Sequence, residues 1–175
     1  MKNRNLAHSD NWATPPAFYA ELNKEFKFDF DPCPLNHDIT LWDGLEIEWR
    51  QSNFANPPYS QALKEAFVKK AIVEAAKGKT CVLLLPVSTS TRLFHDVIQP
   101  NAKEIRFVRG RLPFIGINTK GQYVNWHLLE EVDYTETISA GTEIIRTSYG
   151  IEEVLIKIPK HVKNSGMHDS MVVIF

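Results

Sequence analysis

Apolar and polar positions along the chain change period several times, and each change predicts an element. After Thr14-Pro15-Pro16, residues Phe18, Leu22 and Phe26 recur at helical spacing. This predicts a helix over 16–25 with Thr14 as N-cap and proline in its first turn. Phe28 and Phe30 then alternate with Lys27 and Asp29 as a short strand, which stops at Asp31-Pro32-Cys33-Pro34 because proline cannot extend a central strand. Residues 35–39 read as a helical turn, and Asp43-Gly44-Leu45 as a turn followed by the aromatic anchor Trp49. Trp42 and Trp49 are expected in the core.

A strand at Phe54-Ala55 leads into Asn56-Pro57-Pro58-Tyr59-Ser60, and Leu63, Ala66, Phe67, Lys70 and Val73 follow at helical spacing as far as Gly78. Lys64, Lys69, Lys70, Lys77 and Lys79 decorate this helix and are expected on a solvated face. The continuous apolar run 80–85 has the length and character of a central parallel strand. Ser88-Thr89-Ser90-Thr91 offers caps for a helix over 92–98, and 104–108 and 171–175 read as further strands. Alternation of strand and helix predicts an α/β fold with a mainly parallel sheet and helices on both faces. Residues 117–165 break that rhythm, with a helical pattern over 126–132 and strands over 142–149 and 154–158. They are expected to form a β-rich insertion between core segments 1–116 and 166–175.

Composition narrows the class. A length of 175 residues, 43% of them hydrophobic, suits one well-buried domain. The net charge is -1, so nucleic-acid binding requires a local basic face rather than bulk charge. Cys33 and Cys81 lack C-x-x-C partners, which argues for reduced thiols and against a zinc site or any other metal. The first ten residues read as a mobile tail. The longest apolar run is far too short to span a membrane, and a soluble, unsecreted, cytoplasmic protein is expected.

The Asn56-Pro57-Pro58-Tyr59 loop carries the most specific chemistry. Placed between strand and helix, it fits the C-terminal edge of a sheet, where open α/β folds bind ligands. The prolines remove two backbone donors and fix φ, so the carbonyls of Asn56 and Pro57 are directed acceptors. An Asn side-chain oxygen beside a rigid carbonyl suits both protons of one amino group, and the Tyr59 ring suits stacking on a planar ring that bears it. The target is thus an aryl or amide NH2; the plainer alternative is a Pro-Pro turn with an aromatic anchor. Asp31, at a strand tip, is placed either to accept hydrogen bonds from a ribose diol or to cap its own turn.

Several landmarks in order carry a resemblance: Asp10-Asn11-Trp12-Ala13-Thr14-Pro15, Asp31-Pro32-Cys33, Asp43-Gly44-Leu45 with Trp49, and Asn56-Pro57-Pro58-Tyr59-Ser60. Gly110-Arg111-Leu112 with Phe114 and Ser170-Met171-Val172-Val173 follow. In order and spacing they resemble the phage-encoded Dam-like DNA N6-adenine methyltransferases. The resemblance implies a Rossmann-like S-adenosylmethionine-dependent fold and methyl transfer to the amino group of a flipped adenine in double-stranded DNA. It further implies that Asn56, Pro57, Pro58 and Tyr59 hold the base, and that Trp12, Thr14, Pro15, Asp31, Pro32 and Cys33 hold the cofactor. No G-x-G loop follows any strand, and the compact family pattern lacks the 117–165 insertion.

The same loop chemistry also serves cytosine N4, guanine N2 in RNA and glutamine in proteins, and a degenerate, non-catalytic DNA-binding protein is a further alternative. If base and cofactor occupy the core, sequence choice falls to the insertion, whose two longer strands make a ribbon of major-groove size. Arg109, Arg111, Lys157, Lys160 and Lys163, with His161, are its candidate phosphate contacts.

Overall fold

In the apolar run 80–85, Cys81, Leu83 and Leu85 pack to one side and Val82 and Leu84 to the other, so this strand is covered on both faces. The computed structural model describes residues 12–34, 40–118, 120, 122–128, 133–139, 142–149, 152–159, 162–164 and 166–175, with backbone alone over 133–159. In chain order the elements are β1 (Trp12–Ala13), α1 (Pro16–Phe26), β2 (Ser52–Ala55), α2 (Gln61–Ala76) and β3 (Thr80–Pro86). A π-helical turn (Leu93–Ile98) then runs into α3 (Gln99–Asn101), where Pro100 has no N–H to give an α-helical ladder. Next come β4 (Glu104–Phe107), β5 (Ile115–Ile117), β6 (Tyr123–Val124), a 3-10 turn (Trp126–Leu128), β7 (Asp133–Ser139), β8 (Thr142–Tyr149), β9 (Glu152–Pro159) and β10 (Ser170–Ile174).

The main sheet has the order β2-β3-β10-β4. One face packs Phe54, Val82, Leu84, Val172 and Ile174 against Phe18, Tyr19, Leu22 and Phe26 of α1. The other packs Ala55, Leu83, Leu85, Met171 and Val173 against Phe67, Val68 and Ala71 of α2 and against Phe94 and Ile98. Each large side chain so buried contributes roughly 1.5–3 kcal/mol of transfer free energy.

The expected mainly parallel, Rossmann-like sheet does not form. β2 pairs with β3 in parallel, but β10 pairs antiparallel with both β3 and β4. The sheets β1-β5-β6 and β7-β8-β9 are antiparallel throughout, which makes the fold α/β with mixed, mostly antiparallel sheets. The cause lies where the chain re-enters the core. Ser170 stands opposite Pro86, the last residue of β3, and Val87 N–H donates to the Asp169 carbonyl at 2.8 Å. Entering at the edge where β3 ends, β10 runs backwards.

Smaller expectations also shift. Pro15, not Thr14, occupies the N-cap of α1, without a side-chain hydrogen bond. Phe30 forms a single bridge to Asn53 rather than part of a strand. Val73 is 55% exposed, because the buried stripe of α2 runs through Phe67, Val68, Ala71 and Glu74. Nor is the lysine face simply solvated. Lys70, Lys77 and Lys79 converge on the Glu74 carboxylate at 3.1, 3.0 and 2.6 Å. A buried charge is tolerable when paired in this way, and the hydrophobic pattern of the helix carries no sign of it.

Trp49 is buried as expected, with Nε1 donating to the Gly44 carbonyl at 2.7 Å. Trp42 is half-buried against Phe30. Both cysteines are free, and burial pushes the Cys81 thiol up to about 11. Among the described residues no helix is long and apolar enough to cross a membrane, and no cluster of His, Cys, Asp and Glu could hold a metal ion. The expected tail and the turn at 35–39 lie outside the described residues.

Candidate active site

β2 ends at Ala55, so Asn56 emerges at the C-terminal edge of the parallel β2–β3 pair. Pro57 and Pro58 are buried, which fixes the loop, and α2 begins directly after Ser60. Asn56 Nδ2 donates to the Trp12 carbonyl at 2.7 Å. Because the amide is planar, this bond also fixes the direction of Oδ1, the acceptor end. The segment bearing Trp12 is itself held by β1 pairing with β5, Trp12 opposite Gly116.

Together, Trp12, Asn56, Pro57 and Tyr59 form one side of a cavity of about 340 Å³. That volume lies at the lower end of the range for a pocket holding one small ligand. The opposite side comes from the β5–β6 hairpin through Phe114, Ile117, Asn118, Val124 and Asn125, and from Asn164, Gly166, Met167 and His168. Tyr59 meets Phe114 edge to face, with ring centroids 6.1 Å apart. The Tyr59 hydroxyl is buried without a hydrogen-bond partner. Burial raises its pKa well above the ordinary tyrosine value, so it stays protonated. A buried hydroxyl without a partner costs roughly 1–3 kcal/mol, which a ligand offering a polar atom would recover.

Asn125 assembles the far wall. Its backbone has φ of 56°, a left-handed conformation that Asn tolerates better than most residues. Buried at 2% exposure, its Nδ2 donates to the carbonyls of Phe114 (2.9 Å) and Asn164 (2.6 Å). Its Oδ1 accepts from Asn164 N–H at 2.8 Å. One amide thus joins three segments of chain.

Asp31, Pro32 and Cys33 lie outside the cavity lining, as do Thr14, Pro15 and Pro58. Asp31 Oδ1 accepts from Cys33 N–H at 2.8 Å, so the turn-capping role is present. The turn nevertheless touches the loop, because the Asn56 backbone N–H donates to the Cys33 sulfur. Desolvation first, then the Asp31 charge, holds the Cys33 thiol well above its ordinary range and therefore unreactive. Gly44 packs so closely that a Cβ would stand 1.8 Å from the Pro32 carbonyl oxygen. The Asp43-Gly44-Leu45 landmark is thus a buttress for the Asp31 turn.

Arg109, Arg111 and Lys163 are exposed, and Arg111 reaches Asp169 at 3.4 Å. The side chain of Lys157, and Lys160 and His161 entirely, lie outside the described residues. Pairing of β8 with β9 from Thr142↔Pro159 to Tyr149↔Glu152 builds the ribbon backbone expected in this region. Asn118, Asn125, Asn164, Met167 and His168 were not singled out in the sequence.

A family model described as DNA N-6-adenine-methyltransferase (Dam) matches residues 2–127. This span takes in the Asn56 loop and the β5–β6 hairpin and ends before β7. The DNA N-6-adenine-methyltransferase of Haemophilus phage HP1 (strain HP1c1) is 36% identical over 129 residues, covering 67% of this chain and 73% of the phage protein. No solved structure matches the chain. The match takes in the Asn56 loop and most of the cavity lining, and the chain belongs to the Dam family as a site-specific, S-adenosylmethionine-dependent DNA adenine N6-methyltransferase.

Proposed function

We propose that the cavity receives a flipped adenine and that Asn56 Oδ1 and the Pro57 carbonyl accept its two N6 protons. The observation that carries this is the Asn56 side-chain amide, which lines the cavity and is held in place by its nitrogen donating to the Trp12 carbonyl. Adenine N6 is a weak nucleophile because its lone pair is delocalised into the ring. Two fixed acceptors localise that pair and stabilise the positive charge that develops on nitrogen. Tyr59 supplies a ring for stacking, with Phe114 holding it edge-on. Adenine inside a duplex cannot reach such a cavity without leaving the stack, so double-stranded DNA is bound with the target base turned out.

The cofactor, when bound, supplies an activated methyl group on a sulfonium. The chain's donor set suits its polar half: Asp31 offers a carboxylate toward a ribose diol, within a turn tied to Asn56 through Cys33. Trp12, Thr14, Pro15 and Pro32 would complete that side. On the DNA side, Arg109, Arg111 and Lys163, joined by Lys157 and Lys160 of the insertion, would contact phosphates while the β8–β9 ribbon reads base edges. Such a substrate suits action in the cytoplasm of a bacterial host.

The test is to express the protein in a host lacking adenine methylation and sequence its DNA by a modification-sensitive method. N6-methyladenine confined to one short context is expected. Methylcytosine, or unmodified DNA despite soluble protein, would overturn the reading.

A further inference from the structure

Turning a base out of a duplex leaves a gap in the stack, and proteins commonly fill or open such a gap with an apolar wedge. Four large apolar side chains are strongly exposed among the described residues: Leu41, Val73, Phe107 and Met167. Only Met167, 77% exposed, also lines the cavity shared by Asn56 and Tyr59. Its position at the rim brings it to the surface that a duplex must approach to deliver a base.

A wedge acts only if it is held, and both sides of Met167 are anchored. Gly166 N–H donates to the Leu112 carbonyl at 2.9 Å, and a Cβ on Gly166 would stand 2.5 Å from that oxygen. Upstream, Asn164 is gripped by the buried Asn125 amide. Downstream, the Asp169 carbonyl accepts from Val87 N–H, and Ser170 enters the centre of the main sheet. Met167 is therefore displayed on a short, braced segment at the mouth of the cavity. Its unbranched, polarizable thioether can fit between bases of varied shape.

We infer that Met167 is a positioning residue that enters the base stack as the target adenine leaves it. This rests on the base-capture reading above and adds how the duplex is opened. It predicts a defect confined to DNA in which the target is stacked and paired.

The experiment uses the full chain and duplex oligonucleotides carrying the context read from modified host DNA, with target adenine either paired or opposite an abasic site. Met167→Ala should methylate the paired duplex at least about tenfold more slowly, since the orphaned partner base is no longer kept from re-pairing with the target, yet act near wild-type rate opposite the abasic site, where there is no partner base. Met167→Leu should restore most of the paired-duplex rate. With 2-aminopurine in the target position, the fluorescence rise seen on binding wild-type protein should shrink for Met167→Ala. An equal loss on both duplexes, or no loss on either, would overturn the wedge. If wild-type protein methylates neither duplex, base capture fails and the wedge falls with it.

Discussion

Two buried polar groups near opposite ends of the β2–β3 pair, the Glu74 carboxylate and the Tyr59 hydroxyl, are treated oppositely. At the N-terminal end, Glu74 has no exposed side-chain surface and is fully engaged. Lys70, Lys77 and Lys79 reach its oxygens, and Lys79 also bonds Glu48 and the Trp49 carbonyl. At the C-terminal end, the Tyr59 hydroxyl is buried without a partner beside a cavity that Asn56, held to the Trp12 carbonyl through its Nδ2, also lines. Satisfied buried charge belongs to folding. Polar atoms held rigid toward a cavity belong to binding, because their missing partners come from a ligand.

Asn56→Ala would sharpen this contrast most. Removing an acceptor that acts mainly as charge develops should lower turnover about a hundredfold or more, with the thermal midpoint and much of cofactor affinity retained. Methylation rates on host DNA beside a melting curve check it, and near-wild-type turnover would break the mechanism. Asn56→Asp, which keeps an acceptor, should be milder.

At the other end, Glu74→Ala should take away the carboxylate shared by Lys70, Lys77 and Lys79, leave Lys79 with Glu48 as its remaining counter-charge and cost about 3 kcal/mol of stability, read by denaturant unfolding, while the residual folded protein keeps its turnover. Acid sensitivity supplies the sign. Desolvation raises the Glu74 pKa, but hydrogen bonds from Lys79, Lys77 and Lys70 prevail and hold it down to about 2, against an ordinary 4.5. Its contribution is therefore fully present above pH 4.5 and lost as the pH falls through about 2. Between those values wild-type stability should fall more steeply than that of Glu74→Gln. Parallel curves would return the cluster to the solvated lysine face expected from the sequence.

Asp31→Ala separates cofactor from turn. If the carboxylate meets the ribose diol, the calorimetric dissociation constant for S-adenosylmethionine should rise about tenfold, as for loss of a charge-assisted hydrogen bond, with DNA affinity unchanged. Unchanged cofactor affinity would leave Asp31 with its Cys33 hydrogen bond alone. Smallest at physiological salt is the triple change of Lys157, Lys160 and Lys163 to Ala. It should weaken binding to all DNA sequences alike and flatten the salt dependence by about 0.9 in log–log slope for each phosphate no longer neutralised. An unaltered slope would move phosphate binding off the insertion.

Local chemistry alone determined a good part of this protein. Two prolines after a short apolar strand fix where the Asn56 loop stands, and the spacing of Phe18, Leu22 and Phe26 sets the buried face of α1, because such constraints act within a few residues. Gly44 and Trp49 stood out as a turn and an anchor for the same reason. Tertiary structure decided what depends on distant partners. The direction of β10 follows from where Ser170 meets Pro86, and the burial of Glu74 from three lysines gathered around it. The far wall of the cavity depends on Asn125 joining Phe114 to Asn164, segments far apart in the chain. Pairings of that kind leave no periodic trace, since the energy of each belongs to two segments at once and to neither alone.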